Sequence, residues 1–269
     1  MQKGDILPYR AVIVDEGQDF HTEEYKLLRS LVREEKNDLF IVGDAHQRIY
    51  GRKVVLGRCG INVRGNRTKR LKINYRTSEE IRRWAVSLLE GKAVDDLDGG
   101  LDEQKGYMSL LHGPEPIIKS FANNKNELDY IIDYVKDLLT GGVAPDNICL
   151  VAREKNLLKG HYMSALKEAG IACVELDGRE YDDGEGIRLA SMHRVKGLEF
   201  THMIIAAVNK GVIPLEYALQ QAADQVSREE VELRERSLLY VAATRARDEI
   251  LITSYGEPSE FLKNFSFGN

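Results

Sequence analysis

The chain has 269 residues, of which 43% are hydrophobic and 30% are charged, and its formal net charge at pH 7 is −5. This composition excludes a disordered chain, and no apolar stretch approaches the roughly 20 residues that a membrane-spanning helix needs. The length allows one large domain or two small ones. The N-terminal residues lack the apolar stretch of a secretory signal, and Cys59, Cys149 and Cys173 show no paired metal-ligand spacing. We therefore expect a cytoplasmic protein with no membrane partner.

The first predicted elements form a strand–helix–strand unit. Residues 10–15 are a short apolar, β-branched run that ends in a carboxylate, and residues 38–44 repeat this form. Continuous apolar strands of this kind are typical of parallel sheets that are covered on both faces. Between the two strands, residues 22–35 carry apolar side chains at helical spacing, and Thr22 is the predicted N-cap.

Polar residues follow both of these strands. Asp15 and Glu16 follow the first strand, and Asp44 follows the second, with Gln47 close behind it. Ligand chemistry in open α/β sheets gathers at the carboxyl ends of the strands. An NTPase needs one carboxylate there to hold magnesium and another to position or deprotonate the attacking water. A lone Asp-Glu pair after a strand is usually a solvated turn, but the second polar strand end favours a site.

Charge is distributed unevenly along the chain. No acidic residue lies between Asp44 and Glu79, and we name the cations of this interval the basic segment: Arg48, Arg52, Lys53, Arg58, Arg64, Arg67, Lys69, Arg70, Lys72 and Arg76. It is either a solvated surface loop or a strip that faces nucleic-acid phosphates, and backbone electrostatics favour the strip. Residues 90–103, the acidic segment with Asp95, Asp96, Asp98 and Asp102, are interpreted as a solvated connector.

Strands and helices alternate through the rest of the chain. The predicted strands are residues 116–121, 148–152, 187–191, 203–208 and 250–253, and the predicted helices are residues 125–139, 157–168 and 229–245. This alternation predicts a second, doubly wound α/β domain.

The ordered motifs of the chain resemble those of the UvrD/Rep-like superfamily 1 DNA helicases. Residues 15–19 and 43–50 resemble motifs II and III, residues 74–76 resemble motif IV, and residues 193–200 and 240–246 resemble motifs V and VI. The order and approximate spacing make the resemblance specific, and it covers nearly the entire chain. It implies an α/β, RecA-like P-loop NTPase architecture of parallel-sheet domains. We expect an incomplete first domain over residues 1–76 and a complete second domain over residues 77–269.

The resemblance implies ATP and Mg²⁺ as cofactors and assigns roles to matching positions. Asp15 would hold Mg²⁺, Glu16 would act as the general base, and Gln47 would contact the γ-phosphate. Arg76 and Arg245 would be arginine fingers that neutralise charge on the transferred phosphoryl group. Each residue also has an ordinary structural interpretation, such as an ion pair, but the ordered set of motifs favours the functional one.

Further positions are implied to bind the nucleotide or DNA. Tyr75 would stack on adenine, Glu199 would accept a hydrogen bond from the ribose, and Gly197 lies beside it in motif V. The side chains implied to contact DNA are Tyr50, Arg64, His193 and Lys196. For His193 and Lys196 a structural hydrogen bond is an equally good interpretation.

The sequence departs from the family pattern in two places. It contains no Gly-x-x-x-x-Gly-Lys-Ser/Thr, the loop that cradles the β- and γ-phosphates. We therefore expect a fragment that is inactive alone and whose partner is a missing N-terminal motor portion, with one edge of strand 39–42 unpaired. After Tyr50, residues 51–53 replace a tryptophan that many relatives stack on a DNA base.

The expected function is that of an ATP-dependent helicase that moves on single-stranded DNA and unwinds duplex DNA. The resemblance implies 3′ to 5′ polarity and single-stranded or 3′-tailed duplex DNA as the partner. The alternative is a non-catalytic module, derived from a helicase, that docks nucleic acid or protein. A nuclease is disfavoured because no cluster of metal-binding carboxylates and lysine lies outside the helicase motifs.

Overall fold

The structure, a computed structural model, describes residues 9–50, 53–102, 106–177 and 184–262. Arg52 of the basic segment and Glu103 of the acidic segment lie outside these ranges. The chain divides into two units: the described residues of Met1–Lys72 and Gly91–Gly106 form the first, and those of Ile73–Glu90 and Tyr107–Asn269 form the second. Residues 73–76, predicted in the first domain, thus fall in the second unit, and the acidic segment falls mainly in the first. Both units contain parallel strands, which confirms the predicted α/β class.

The first unit contains a two-stranded parallel sheet. Strand β1 (Val12–Val14) pairs with strand β2 (Leu39–Ile41), and Ile13 lies opposite Phe40. Among the described residues, β2 pairs with β1 alone, so its other edge is unpaired there, as expected. The small core of this unit is formed by Tyr25, Val54, Leu56, Cys59 and Ile61.

Helix α1 (Thr22–Leu31) differs from its prediction at both ends. Its N-cap is His21 rather than Thr22, because His21 has extended backbone and its N–H donates to Glu24 Oε2 at 2.6 Å. The helix ends at Leu31, four residues before the predicted end. Beyond this end, the Asp38 carboxylate accepts from the Glu35 N–H at 3.2 Å. This side-chain acceptor replaces the backbone carbonyl that a continuing helix would offer to that N–H.

The strands of the second unit are β3 (Ile73–Ser78), β4 (Met108–Leu111), β5 (Ile117–Phe121), β6 (Ile148–Ala152), β7 (Cys173–Glu175), β8 (Ile187–Ser191), β9 (Phe200–Ile205) and β10 (Ala246–Tyr255). Six of them form a parallel sheet in the order β5-β10-β9-β6-β8-β7, and β3 and β4 form a separate parallel pair. Every residue of β6 is buried, which explains its continuous apolar sequence.

Helices flank this sheet. They are α2 (Glu79–Ser87), α3 (Asn124–Thr140), α4 (Lys155–Leu157), α5 (Ser164–Glu168), α6 (Glu216–Gln220) and α7 (Gln225–Ala243), with a π-helical segment, Leu158–Met163, between α4 and α5. The predicted strand 203–208 is shifted: β9 begins at Phe200, which pairs with Ala246, and it ends before Ala207, whose φ of 55° is left-handed. Within the described ranges, no helix is long and apolar enough to cross a membrane.

Candidate functional site

In the first unit, the carboxylates of motif II lie directly beyond a buried strand end. Val14 is buried, whereas Asp15 and Glu16 are exposed. The Glu16 backbone is left-handed, with φ at 52°, and its N–H donates to Asp15 Oδ1 at 2.8 Å. This conformation costs a non-glycine residue about 1–2 kcal/mol, and such strain clusters at functional sites. The turn therefore directs two neighbouring carboxylates to the surface at the carboxyl end of β1.

Gln18 links motif II to motif III, a role that the sequence analysis missed. Its side chain is 2% exposed. Its Nε2 donates to the Glu16 carboxylate, and its Oε1 accepts from the Asp44 backbone N–H at 2.9 Å. Gly43 leaves the room for this contact, since a Cβ there would lie 3.0 Å from Gln18 Oε1. The signal for this role was the amide that follows the Asp-Glu pair.

Asp44 organises the turn after β2. Its Oδ1 accepts from the His46 N–H at 2.9 Å, and its Oδ2 accepts from Gln47 Nε2 at 3.0 Å. Burial alone would raise the pKa of Asp44, but these hydrogen bonds and the His46 ring lower the pKa below its usual value. Asp44 is therefore anionic at neutral pH and orients Gln47 within the turn. The contact of Gln47 with a γ-phosphate stays a prediction.

The donor set at the end of β1 fits Mg²⁺. This ion is usually held by one or two protein carboxylates together with water and substrate phosphates, rather than by an all-protein cage. Asp15 supplies an exposed carboxylate at that position, and Glu16 supplies a second one beside it. The residues present are thus suited to an ion that arrives with a nucleotide.

In the second unit, motifs IV and V meet through an ion pair. Arg76 Nε lies 3.1 Å from Glu199 Oε2, and the Arg76 side chain is 46% exposed. Asn74 shapes the strand here, because its Oδ1 accepts from the Arg76 N–H at 2.8 Å. Tyr75 is 69% exposed, so it is accessible for stacking. Thr77 donates to the Thr244 carbonyl at 3.3 Å, which attaches motif IV to motif VI.

Arg245 of motif VI is buried against motif V. It is 2% exposed. Its Nε donates to the Val241 carbonyl at 3.2 Å, and its Nη1 donates to the Leu198 carbonyl at 3.5 Å. Leu198 and Glu199 are neighbours, and we name them the motif V turn. Both predicted arginine fingers contact this turn within the second unit. Arg245 contacts the Leu198 carbonyl, and Arg76 contacts the Glu199 carboxylate.

His193 of motif V lies near a buried ion pair between Arg153 and Glu235. Arg153 donates two hydrogen bonds to the Glu235 carboxylate, at 2.9 and 2.7 Å. Burial of His193, together with the charge of Arg153, lowers the pKa of His193 below its usual value. Its imidazole is therefore neutral at pH 7 and would meet a DNA phosphate as a neutral donor, not as a cation. Lys196 is half-buried.

Gly197 provides an open approach to the backbone of motif V. Its φ is 82°, and a Cβ at this position would meet nothing within 4 Å. Glycine is favoured here because the left-handed conformation costs other residues energy. Tyr50, the aromatic residue implied to contact DNA, is exposed in the first unit. These positions are accessible to ligands, and their assigned roles stay predictions.

The interpretation of the acidic segment as a solvated connector is wrong. Its aspartates contact arginines of the basic segment: Arg48 with Asp95, Arg64 with Asp98, and Arg70 with both Asp96 and Asp102. The two segments are far apart in sequence, but opposite charges attract where the fold brings them close. The basic segment is thus partly neutralised from within the chain.

The Arg48–Asp95 pair is structural. Its side chains are 12% and 6% exposed, and Arg48 Nη2 donates to Asp95 Oδ1 at 3.1 Å. Burial alone would raise the pKa of Asp95, but the Arg48 guanidinium lowers the pKa below its usual value. Arg48 therefore stabilises the first unit and is not a free phosphate ligand, contrary to its inclusion in a phosphate-facing strip.

Replacement of Asp95 with asparagine is expected to destabilise the first unit by about 3 kcal/mol, because Arg48 would remain buried without a counter-charge. Amide hydrogen exchange of β1 and α1 measures this effect locally. The matched control is Asp98→Asn, whose partner Arg64 is 80% exposed, and its expected cost is below about 1 kcal/mol. The stabilisation by Asp95 is present at neutral pH and is lost as the pH falls below about 4, through the lowered folded-state pKa. Equal exchange in the two variants would contradict the structural role.

Comparisons with known proteins agree with this arrangement of motifs on parallel α/β units. Residues 7–53 match the UvrD/REP helicase N-terminal domain, and residues 175–257 match the UvrD-like helicase C-terminal domain. A "Probable DNA helicase" of Mycoplasma pneumoniae is 27% identical over 266 residues, which are 94% of this chain and 46% of that protein. The ATP-dependent DNA helicase Rep of Escherichia coli is 26% identical over 181 residues, which are 63% of this chain and 23% of Rep.

A solved structure is similar in fold. The C-terminal domain of a possible DNA helicase from Lactobacillus plantarum WCFS1 superimposes with a TM-score of 0.51 at 18% identity, covering 72% of this chain and 94% of that one. The chain spans less than half the length of the two curated relatives. The family matches at both ends of the chain confirm the resemblance to UvrD/Rep-like helicases that the motifs indicated.

Proposed function

We propose that the chain supplies motifs II to VI of an ATP-driven motor that moves on single-stranded DNA and unwinds duplex DNA. The polarity is 3′ to 5′, the cofactors are ATP and Mg²⁺, and the location is the cytoplasm. The single observation that carries the proposal is the motif V turn, where Leu198 and Glu199 contact Arg245 and Arg76. Two guanidinium groups, one from motif IV and one from motif VI, joined through motif V, are suited to the terminal phosphate of a nucleotide.

In this motor, residues of the first unit position and activate the water that attacks the γ-phosphate. Glu16 accepts the proton of the water, and Gln18 holds the Glu16 carboxylate in position from the buried side. Asp15 would hold Mg²⁺, which would supply neutralisation of the phosphate charge. Gln47, oriented by Asp44, lies on the turn that follows β2 and senses the terminal phosphate.

The second unit serves the nucleotide and the developing charge. Tyr75 stacks on the adenine, and Gly197 leaves the motif V backbone open to the ligand. Arg76 and Arg245 stabilise the negative charge that develops on the transferred group. Glu199 pairs with Arg76 in this structure. When the nucleotide binds, the Glu199 carboxylate leaves Arg76 and accepts a hydrogen bond from the ribose instead.

DNA binding is assigned to polar and aromatic positions in both units. Tyr50 offers an exposed ring to a base, Arg64 offers an exposed guanidinium to a phosphate, and His193 and Lys196 lie at the start of motif V. Stacking and phosphate contacts of these kinds are tolerant of sequence, which suits a protein that moves along a strand.

The purified chain alone is expected to show no DNA-stimulated ATP hydrolysis. Its 269 residues include no Gly-x-x-x-x-Gly-Lys-Ser/Thr sequence, so the β- and γ-phosphates have no backbone cradle and no loop lysine. Phosphate release, measured with and without single-stranded DNA, tests this expectation. Turnover that rises with DNA and disappears in a Glu16→Gln variant would contradict it, because that loss excludes a contaminating ATPase.

The same missing sequence favours one alternative, a non-catalytic module that docks nucleic acid or protein. The two functions differ in what the reading frame encodes before Met1. An in-frame phosphate-binding loop supports the motor, whereas a stop codon there, together with DNA binding by the chain, supports the docking module.

A further inference from the structure

The acidic segment forms a fixed hairpin in the first unit. Asp95 and Leu101 form an antiparallel bridge, and the Asp102 N–H donates to the Val94 carbonyl at 2.9 Å. The Leu56 N–H donates to the Leu97 carbonyl at 3.2 Å, which attaches the hairpin to the stretch of chain that carries the basic segment. Together with the buried Arg48–Asp95 pair, these contacts hold the hairpin close to Arg64 and Arg70.

The pairs beyond Asp95 differ from that buried anchor. Arg64 Nε lies 2.9 Å from Asp98 Oδ2, and Arg70 lies 3.2 Å from Asp102 and 3.6 Å from Asp96. The Arg64 side chain is 80% exposed and that of Arg70 is 42% exposed, whereas their aspartates are less exposed. Because the arginine of each pair reaches solvent, these pairs are held less firmly than the buried Arg48–Asp95 pair. Both arginines can therefore leave their aspartates by side-chain rotation while the hairpin stays in place.

The surface between the two segments is concave and reachable. A cavity of about 580 Å³ is lined by Arg64, Arg70, Asp96 and Asp98, and by three glycines, Gly65, Gly99 and Gly100. The glycines carry no side chains that would block a ligand. Phosphates of a strand lying along this surface would meet the Arg64 and Arg70 guanidinium groups, which the aspartates occupy in this structure.

We propose that the acidic hairpin is an intramolecular competitor for nucleic-acid phosphate. Asp96, Asp98 and Asp102 neutralise Arg64 and Arg70 in the free protein, and a bound strand displaces these arginines from their aspartates. The hairpin thereby weakens non-specific binding, since a strand must exchange ion pairs instead of meeting free cations. This inference rests on the nucleic-acid binding in the proposed function, and it adds a regulatory element to that binding.

The test compares two triple variants of the whole chain. Asp96→Asn, Asp98→Asn and Asp102→Asn remove the competing charges, and asparagine retains an acceptor oxygen for the hairpin's own hydrogen bonds. The matched control, Asp129→Asn, Asp133→Asn and Asp137→Asn, removes the same formal charge from exposed positions on α3. Binding of a fluorescent oligo-dT strand is followed by anisotropy across a salt series.

The hairpin variant is expected to bind at least about fivefold more tightly than the control at low salt. Its plot of log affinity against log salt is expected to be steeper by about 1.4, which corresponds to about 0.7 for each of two phosphates newly contacted. Adding Arg64→Gln and Arg70→Gln to the hairpin variant is expected to abolish the gain. The single variant Asp98→Asn is expected to show part of the gain with minimal change to the fold.

The outcomes separate the two ideas. If the unmodified chain binds DNA and the hairpin variants match the control in affinity and salt slope, the competitor role is wrong and the proposed function is untouched. If none of the variants binds DNA at any salt concentration, the DNA contacts assigned to this chain and the competitor role both fail. A loss of amide protection in β1 without a gain in affinity would assign the hairpin to structure alone.

Discussion

Replacement of Arg76 with alanine is expected to lower kcat for DNA-stimulated ATP hydrolysis about a thousandfold, in a polypeptide that joins this chain to a phosphate-binding loop. An arginine finger contributes about 10³–10⁵ to kcat, because it stabilises charge that develops only in the transition state. KM for ATP should change much less. The fold should be retained, since Arg76 is half-exposed and its partner Glu199 is similarly exposed, and such a pair contributes little to stability.

Arg83→Ala is the matched control for Arg76→Ala. Arg83 belongs to the same unit and pairs with Glu115 at 2.8 Å, and both of these side chains are exposed. Its removal costs a similar surface ion pair but lies outside the helicase motifs, so kcat should stay within about twofold of the unmodified value. Unchanged kcat in Arg76→Ala, or an equal loss in both variants, would remove the assignment of Arg76 as a finger.

Replacement of Glu127 with alanine is expected to lower the free energy of unfolding of the second unit by about 3 kcal/mol or more. The carboxylate is fully buried. It accepts from the Tyr162 hydroxyl at 2.6 Å, the Thr253 hydroxyl at 2.6 Å and the Ala207 N–H at 3.0 Å. Each buried donor left without a partner costs about 1–3 kcal/mol. Burial, with the carboxylate beside it, raises the pKa of Tyr162, so this hydroxyl remains a donor across the accessible pH range.

Urea unfolding followed by circular dichroism measures the effect of Glu127→Ala. Asp129→Ala on the same helix is the control, because its side chain is exposed and such substitutions usually change stability by less than about 0.5 kcal/mol. Hydrogen exchange should show the loss concentrated in β9 and β10, where Ala207 and Thr253 lie at or near the strand ends. Equal stabilities of the two variants would show that the Glu127 contacts are dispensable.

The buried strands of the fold were predictable from the sequence. The bounds of β6 and β8 agree with their predictions, because a strand buried on both faces is apolar throughout and stands out from its surroundings. Strand β3 was not predicted, since four of its six residues are exposed or half-buried and its sequence carries charge. Helix α2 was also missed, although Ser78 as N-cap and the buried Ile81 and Trp84 provided a helical signal.

The sequence indicated the residue types of the candidate site, but it did not indicate their contacts. Motif order placed Asp15 and Glu16 correctly after a strand, because strand ends depend on local sequence. The burial of Arg245 against Leu198 depends on tertiary packing between distant motifs, so no spacing rule predicts it. The same reason applies to the pairing of the acidic hairpin with Arg64 and Arg70, which joins segments more than two dozen residues apart.

The motif V turn has a mechanical consequence. One guanidinium is held by the Leu198 carbonyl and the other by the carboxylate of the next residue, Glu199. A displacement of the Leu198–Glu199 backbone would therefore move one contact of Arg245 and the residue that pairs with Arg76 at the same moment. The arginines of motifs IV and VI would thus both respond to motion of two consecutive residues of motif V.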